Sequence, residues 1–168
     1  MTGKIDVREI VSDHLATLVN DGTGKRSWID YFVFFAVPAA IAAACYYYGV
    51  TFKDATPAIF ITALSIFAGL LINVLVLIYT ISRSSTATTS AFEVSEAKFL
   101  RQTFANISFA ILTAIIAIIV LVVALFFDGL ALQIVSAVLI FLLANFVLTM
   151  LMTVKRIHIA LSSRFLRT

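Results

Sequence analysis

The stretch "LVVALFFDGLALQIVSAV", residues 121–138, contains two predominantly apolar runs that are separated by Asp128-Gly129. Predominantly apolar residues continue on both sides of it. A helix that crosses a bilayer needs about 20 such residues, and Asp-Gly is a strong turn signal. The sequence therefore predicts two transmembrane helices, over residues 104–127 and 131–154, that are joined in a tight antiparallel hairpin.

Two further apolar runs lie upstream, at residues 29–50 and 57–81. Between them, "GVTFKDATP" has the composition of a turn, and its last residue, Pro57, suits the first turn of a helix because its missing N–H would be unpaired there. The predicted fold is thus an all-α membrane protein whose four transmembrane helices form two antiparallel hairpins.

The composition supports this fold class. The chain has 168 residues, of which 62% are hydrophobic and 12% are charged, and its mean hydropathy is +1.08; soluble domains are about 45–50% apolar. The single cysteine, Cys45, excludes an intrachain disulfide and a cysteine-based metal site. The charged N-terminal segment lacks the apolar core of a cleaved signal peptide.

The distribution of positive charge predicts the orientation. All 12 Lys and Arg residues except Lys53 lie in the N-terminal segment, in the loop between the hairpins or in the C-terminal tail. Positively charged loops remain in the cytoplasm, so we expect a plasma (inner) membrane protein with both termini and the loop 82–103 in the cytoplasm. This bias accounts for the net charge of +3 without a nucleic-acid partner.

The N-terminal segment, residues 1–28, contains an amphipathic helix. Its apolar residues recur at helical spacing between residues 5 and 20, and Asn20-Asp21-Gly22 is a helix stop. Two interpretations stay open: the helix packs on the cytoplasmic side of its own chain, or it contacts another subunit or a partner protein through Val7, Val11 and Leu15.

The third transmembrane helix is predicted to extend into the cytoplasm. After the polar linker "SRSSTATTS", residues 82–90, the pair Ser90 and Glu93 fits a capping box. A helix that begins there has about 37 residues and a length of about 55 Å at 1.5 Å per residue. The projecting turns present Phe92 and Phe99, which could contact a partner or a second copy.

The tail, residues 155–168, is predicted to continue as a short basic helix. Contact with lipid headgroup phosphates is the expected role of its cations, and contact with an acidic partner or a nucleotide is the alternative. These cations are Lys155, Arg156, Arg164 and Arg167.

The residues that enzymes use are scarce. The two histidines, His14 and His158, lie at opposite ends of the chain, and there is no glycine-rich phosphate loop, paired intramembrane carboxylate or metal-ligand spacing. We therefore expect no catalysis, cofactor or metal.

Polar side chains inside the predicted spans are the remaining candidates. Asn73 and Asn145 lie at nearly the same predicted depth, and an unpartnered amide in hydrocarbon costs several kcal/mol. This intramembrane polar layer either locks helices together, within one subunit or between subunits, or lines a pathway in an oligomer. Small residues that favour close helix packing lie nearby at Ser65, Gly69, Ala110 and Ala114.

The runs "ITALSIFAGLLINVLVLIYTI", "FANISFAILTAI" and "LANFVLTMLMTVKRIH", with a polar loop between hairpins, resemble the small four-helix membrane proteins encoded in prokaryotic anti-phage defence operons. The resemblance implies a membrane component that responds to a cytoplasmic signal, often by oligomerising and disturbing the inner membrane. Such proteins commonly carry a sensor domain that this chain lacks, which favours a partner protein as the trigger.

Two functions from different classes follow. In the first, the protein is an oligomeric, membrane-perturbing effector or channel-like component that a cytoplasmic partner controls. In the second, it is a non-conducting scaffold that recruits a soluble partner protein to the lipid bilayer.

Overall fold

The structure of the protein, a computed structural model, describes residues 7–18, 28–84 and 91–165. Within these ranges it contains helices and no strand, as the sequence predicts. The five helices are α1 (Arg8–Ala16), α2 (Trp28–Tyr47), α3 (Thr56–Ser84), α4 (Ala91–Ala124) and α5 (Gly129–Phe165).

Three of the helices are long and apolar enough to cross a membrane. Their apolar parts are Thr56–Thr80 in α3, Lys98–Ala124 in α4 and Gly129–Ile159 in α5. The apolar part of α2, Tyr31–Tyr47, is shorter. The chain is therefore compatible with a multi-pass membrane protein.

Helices α4 and α5 form the hairpin that the Asp128-Gly129 turn predicts. The two helices pack against each other, and the chain reverses over Leu125 to Asp128. Gly129 has φ of +58°, a left-handed conformation that glycine adopts without steric cost. Asp128-Gly129 thus forms the predicted turn, and the prediction of a hairpin between these two helices is confirmed.

Helices α2 and α3, by contrast, do not pack as a hairpin. No pair of their Cα atoms lies within 8 Å, whereas α2 packs on α5 and α3 packs on α4. The neighbouring helices therefore form a row in the order α3, α4, α5, α2. The prediction of two antiparallel hairpins is wrong for the first pair.

The connection between α2 and α3 explains this separation, because it is bound to α5. The backbone N–H of Phe52 donates to Ser136 Oγ at 3.0 Å, and the Gln133 amide donates to the Tyr46 carbonyl at 2.6 Å. The Phe52 ring is buried and meets Phe60 edge to face, with ring centroids 5.2 Å apart. The Phe52 contact holds the loop on α5, and the Gln133 contact holds the end of α2 there. Together they keep α2 away from α3.

An alanine-rich face of α4 lies at the centre of the bundle. Ala110 and Ala114, which the sequence predicts at a packing surface, are fully buried there. Small side chains let the backbones of neighbouring helices approach closely. The same face continues through Ala117, Leu121 and Ala124.

Helices α4 and α5 are both longer than a membrane span. Helix α4 has 34 residues and begins directly after Ser90, as predicted, although the side chains of the capping box lie outside the described residues. Helix α5 has 37 residues and continues through the basic segment without a break. The predicted basic tail helix is therefore the last part of α5.

The alanine face predicts the outcome of a core substitution. Ala114→Leu should destabilise the protein by about 1–3 kcal/mol, because added methylenes in a packed core force the helices apart. Denaturant titration in mild detergent measures this change. The control Ile115→Leu, at an exposed neighbouring position, should change stability by less than about 0.5 kcal/mol; equal effects of the two substitutions would contradict the packing described here.

Candidate functional site

Asn145, one of the two predicted intramembrane amides, is buried on α5. Its side-chain N–H donates to the Phe141 carbonyl of the same helix at 3.0 Å, and only 4% of the residue is exposed. Its helix therefore satisfies part of its hydrogen-bonding capacity, and its burial keeps it from lipid.

Asn73, the second predicted amide, is in a different environment. It is exposed on α3, and no hydrogen-bond partner for it is found among the described residues. Helices α3 and α5 have no Cα atoms within 8 Å of each other. The two amides thus do not bond within one chain, and a polar layer formed between copies stays a prediction.

Asn73 belongs to a row of small and polar residues along α3. These residues recur three, four or seven positions apart, which places them on one face of the helix, and all of them are exposed. The Thr hydroxyls donate to carbonyls of their own helix at 2.9 Å. We call this row the α3 polar stripe; it consists of Thr62, Ser65, Gly69, Asn73 and Thr80.

A second polar feature lies where α1 packs on α4. His14 on α1 is fully buried, as are Asn106 on α4 and, nearly so, Thr17 at the end of α1. Arg156 on α5 reaches the same place. We call these four residues the His14 cluster; none of the sequence patterns predicts it as a site.

Short hydrogen bonds connect the His14 cluster. The Asn106 side-chain oxygen lies 2.9 Å from His14 Nδ1 and 2.8 Å from Thr17 Oγ. Thr17 Oγ is also 2.7 Å from the His14 carbonyl. An amide oxygen can accept two hydrogen bonds, so Asn106 on α4 accepts from His14 on α1 and shares the single hydroxyl proton of the C-cap Thr17 with the His14 carbonyl.

Aromatic rings surround the imidazole. The Phe109 ring stacks on it with centroids 3.9 Å apart and planes 5° apart, and Phe34 packs at 5.0 Å in a tilted orientation. From α2, the Tyr31 hydroxyl donates to the Leu15 carbonyl at 3.0 Å. Helix α1 is thus held by α2 and α4, and α5 adds the contact of Arg156.

Arg156 contacts the C-terminal end of α1. Its guanidinium donates to the Thr17 carbonyl at 2.5 Å, and Thr17 is the C-cap of the helix. A cation at this end interacts favourably with the unpaired carbonyls and the helix dipole. This contact differs from the headgroup contact that the sequence predicts for Arg156.

The other predicted contact residues are distributed as follows. Lys155 and Val7 are exposed, whereas Val11, Leu15 and Phe99 are half-buried. The side chains of Phe92 and Arg164, and all of Arg167, lie outside the described residues. Of the two interpretations of the N-terminal helix, packing on its own chain is the one that the structure shows.

Burial determines the protonation state of His14. Its pKa is lowered from 6.5 to about 4, first because burial disfavours the charged ring and also because Arg156 repels it; the hydrogen bond with Asn106 acts in the opposite direction. His14 is therefore neutral near pH 7. Its Nε2, together with Asn106 Nδ2 and Thr103 Oγ, is buried and has no hydrogen-bond partner in the part of the chain that the structure describes.

The described residues contain no group of three His, Cys, Asp or Glu side chains that could hold a metal ion. Comparison with known proteins adds no relative, because no family model, curated protein or solved structure matches the chain. The assignment of the two candidate sites, the α3 polar stripe and the His14 cluster, is therefore based on their geometry alone.

The His14 cluster predicts the effect of removing its central amide. Asn106→Ala leaves the Nδ1–H of His14 without an acceptor, whereas the Thr17 hydroxyl keeps the His14 carbonyl. The loss should weaken the docking of α1 by about 1–3 kcal/mol. Leu18 follows the C-cap of α1 and is buried. In a Cys45→Ala chain that also carries Leu18→Cys, the new thiol should then react with maleimide at least about 5 times faster. Thr113→Ala is the control, because that hydroxyl bonds its own helix at the Phe109 carbonyl; unchanged labelling in Asn106→Ala would refute the role of the amide.

Proposed function

We propose that the protein is an oligomeric inner-membrane protein that acts as a membrane-perturbing effector or channel-like component, with subunits that meet along the α3 polar stripe. The observation that carries this proposal is the exposed Asn73 in the middle of the apolar helix Thr56–Thr80. The proposal adds a fourth span, α2, and places both termini in the cytoplasm on the basis of the charge distribution.

The energetic argument concerns the amide. A carboxamide exposed to hydrocarbon without a partner costs several kcal/mol. The chain covers Asn145 with its own helices, but it leaves Asn73 exposed. In a bilayer a second protein surface or water must therefore meet Asn73.

A second copy of the stripe is the best partner for this amide. Ser65 and Gly69 precede Asn73 at intervals of four residues, and a Cβ added at Gly69 would meet no atom within 4 Å. This spacing is the small-xxx-small pattern that permits close helix contact in membranes, where each interhelical hydrogen bond contributes about 0.6–2 kcal/mol. Copies of Asn73 can then pair across the contact.

The interior of one subunit offers no aqueous path in the described residues. The core around α4 is filled mainly by alanine and leucine. The groove of about 400 Å³ is lined by apolar residues of α2 and α5, such as Ile41 and Leu143, and by Phe60 of α3. A conducting path would lie between subunits, with Asn73 amides facing it. This supports a channel-like role that depends on oligomerisation.

Control by a cytoplasmic partner is the second part of the proposal. Helix α1 lies outside the three long apolar helices and can be reached from the aqueous phase; its exposed residues include Arg8 and Glu9. The resemblance to membrane proteins of anti-phage defence operons supports a partner protein as the trigger.

The alternative function, a non-conducting scaffold, is favoured by the same helix. Val7 is 40% exposed and could extend an apolar contact from the bundle to a soluble partner. A scaffold would lose recruitment when residues 1–22 are deleted and would give no leak under any condition.

Asn73→Leu tests the proposed function. The loss of about 0.6–2 kcal/mol per hydrogen bond corresponds to an association about 3–30 times weaker per contact. Native mass spectrometry and analytical ultracentrifugation in detergent should show smaller assemblies, and dye release from liposomes of inner-membrane lipids should change in parallel.

The matched control is Val74→Leu, at the adjacent exposed position outside the stripe, which should leave both measurements unchanged. A protein that is monomeric in liposomes as well as in detergent would refute the proposed function. An oligomer that Asn73→Leu weakens but that never leaks would replace it with the scaffold.

A further inference from the structure

We infer that α1 is a proton-released segment: neutral His14 holds it on the bundle between Asn106 and Phe109, and proton uptake by His14 releases it. The inference concerns the docking of α1 and does not depend on oligomerisation or conduction. It is based on the hydrogen bonds, the burial and the neighbouring cation of the His14 cluster.

The hydrogen bond with Asn106 defines which ring nitrogen carries the proton. An amide oxygen only accepts, so His14 Nδ1, at 2.9 Å from it, donates. In the neutral ring, Nε2 is then the unprotonated nitrogen. It is buried, and no described residue offers it a hydrogen bond.

A second proton would have to be placed on Nε2. The charged ring needs an acceptor there, and the cluster offers none among the described residues. The stacked Phe109 ring attracts a cation only modestly. Burial and the positive charge of Arg156 act against the charged ring, and together they outweigh the Asn106 bond.

Among the described residues of the other helices, no group that faces His14 is an anion that could compensate the charge. Helix α5 contributes the cation Arg156, helix α4 contributes the uncharged Asn106 and Phe109, and helix α2 contributes Phe34. On α1 itself, the half-buried Asp13 is the neighbouring carboxylate, but it makes no hydrogen bond to the ring. Protonated His14 would therefore lie beside another cation in a low-dielectric site.

The sign of the pH dependence follows from this environment. In released α1, His14 has its ordinary pKa of 6.5, whereas in docked α1 its pKa is about 4. Docking is therefore strongest above about pH 6.5, weakens as the pH falls toward 4, and changes no further below that. Release would uncover Asn106 and the apolar side chains of Val11 and Leu15, which form a new surface for a partner.

Hydrogen–deuterium exchange of the full chain in lipid nanodiscs tests the inference. The protection factors of amides in α1 (Arg8–Ala16), corrected for the intrinsic exchange rate, report the ratio of docked to released helix. Between pH 7 and pH 4.5 they should fall roughly 50-fold, as calculated from the two pKa values of His14. Peptides from the buried centre of α4 should keep their protection.

Histidine variants assign the effect. The chain contains only two histidines, so His158→Gln, at an exposed position on α5, is the matched control and should retain the roughly 50-fold decrease. His14→Gln cannot titrate and should reduce the decrease to about two-fold or less. An unchanged protection of α1 in the parent chain, or a full acid response in His14→Gln, would overturn the inference.

A second variant keeps the test decisive if His14→Gln fails to dock at pH 7. Asn106→Asp places a carboxylate against Nδ1, where it would stabilise the protonated ring. The acid response of α1 should then fall below about five-fold, with α1 protected at both pH values. A response as large as that of the parent chain would show that His14 is not the group responsible.

Discussion

The structure depends on one constraint: inside an apolar helix bundle, a polar group without a partner costs free energy, because water is absent. Several polar side chains of the long helices have a partner within their own helix. Thr62, Thr113, Asn145, Thr149 and Thr153 each bond the carbonyl four residues earlier in the same helix. These residues are compatible with apolar surroundings and require no functional explanation.

Gln133 and Ser136 bond distant residues, but these contacts only hold α2 and the loop after it on α5. Two other polar features outside the local pattern are the candidate sites. Asn106 bonds residues that are 89 and 92 positions away in the sequence, so it depends on the docking of another helix. Asn73 has no partner in the described part of its own chain. One amide is thus completed by α1, and we propose that the other is completed by a second subunit.

Much of the fold could be predicted from local sequence. The apolar runs and the Asp128-Gly129 turn identify α3, α4, α5 and the α4–α5 hairpin, because each signal lies within one element. The separation of α2 from α3 could not be predicted in this way. It results from two hydrogen bonds, one from the Phe52 N–H to Ser136 and one from Gln133 to the Tyr46 carbonyl. Charge and hydropathy give no signal for such contacts.

The candidate sites differ in the same respect. The α3 polar stripe has a helical period, so part of it, namely Ser65, Gly69 and Asn73, is visible in the sequence. The His14 cluster combines residues from three distant segments, and Arg156 is bonded to a residue 139 positions away. One signal in the sequence could have indicated this site: His14 lies on the same face of α1 as Val7 and Val11. A polar residue on a face that packs against the protein requires a buried partner.

Helix α4 connects the two candidate sites physically. It is in contact with α1 and with α3, and Asn106 lies one helical turn from Ala110 on the fully buried face where the long helices meet. Since small residues on this face allow little adjustment without loss of packing, the docking of α1 and the position of α3 involve the same rigid element. Both events would therefore change the contacts of α4. A proton taken up by His14 would change its contact with α1 at Asn106, and a subunit that associates along α3 would change its packing against α3.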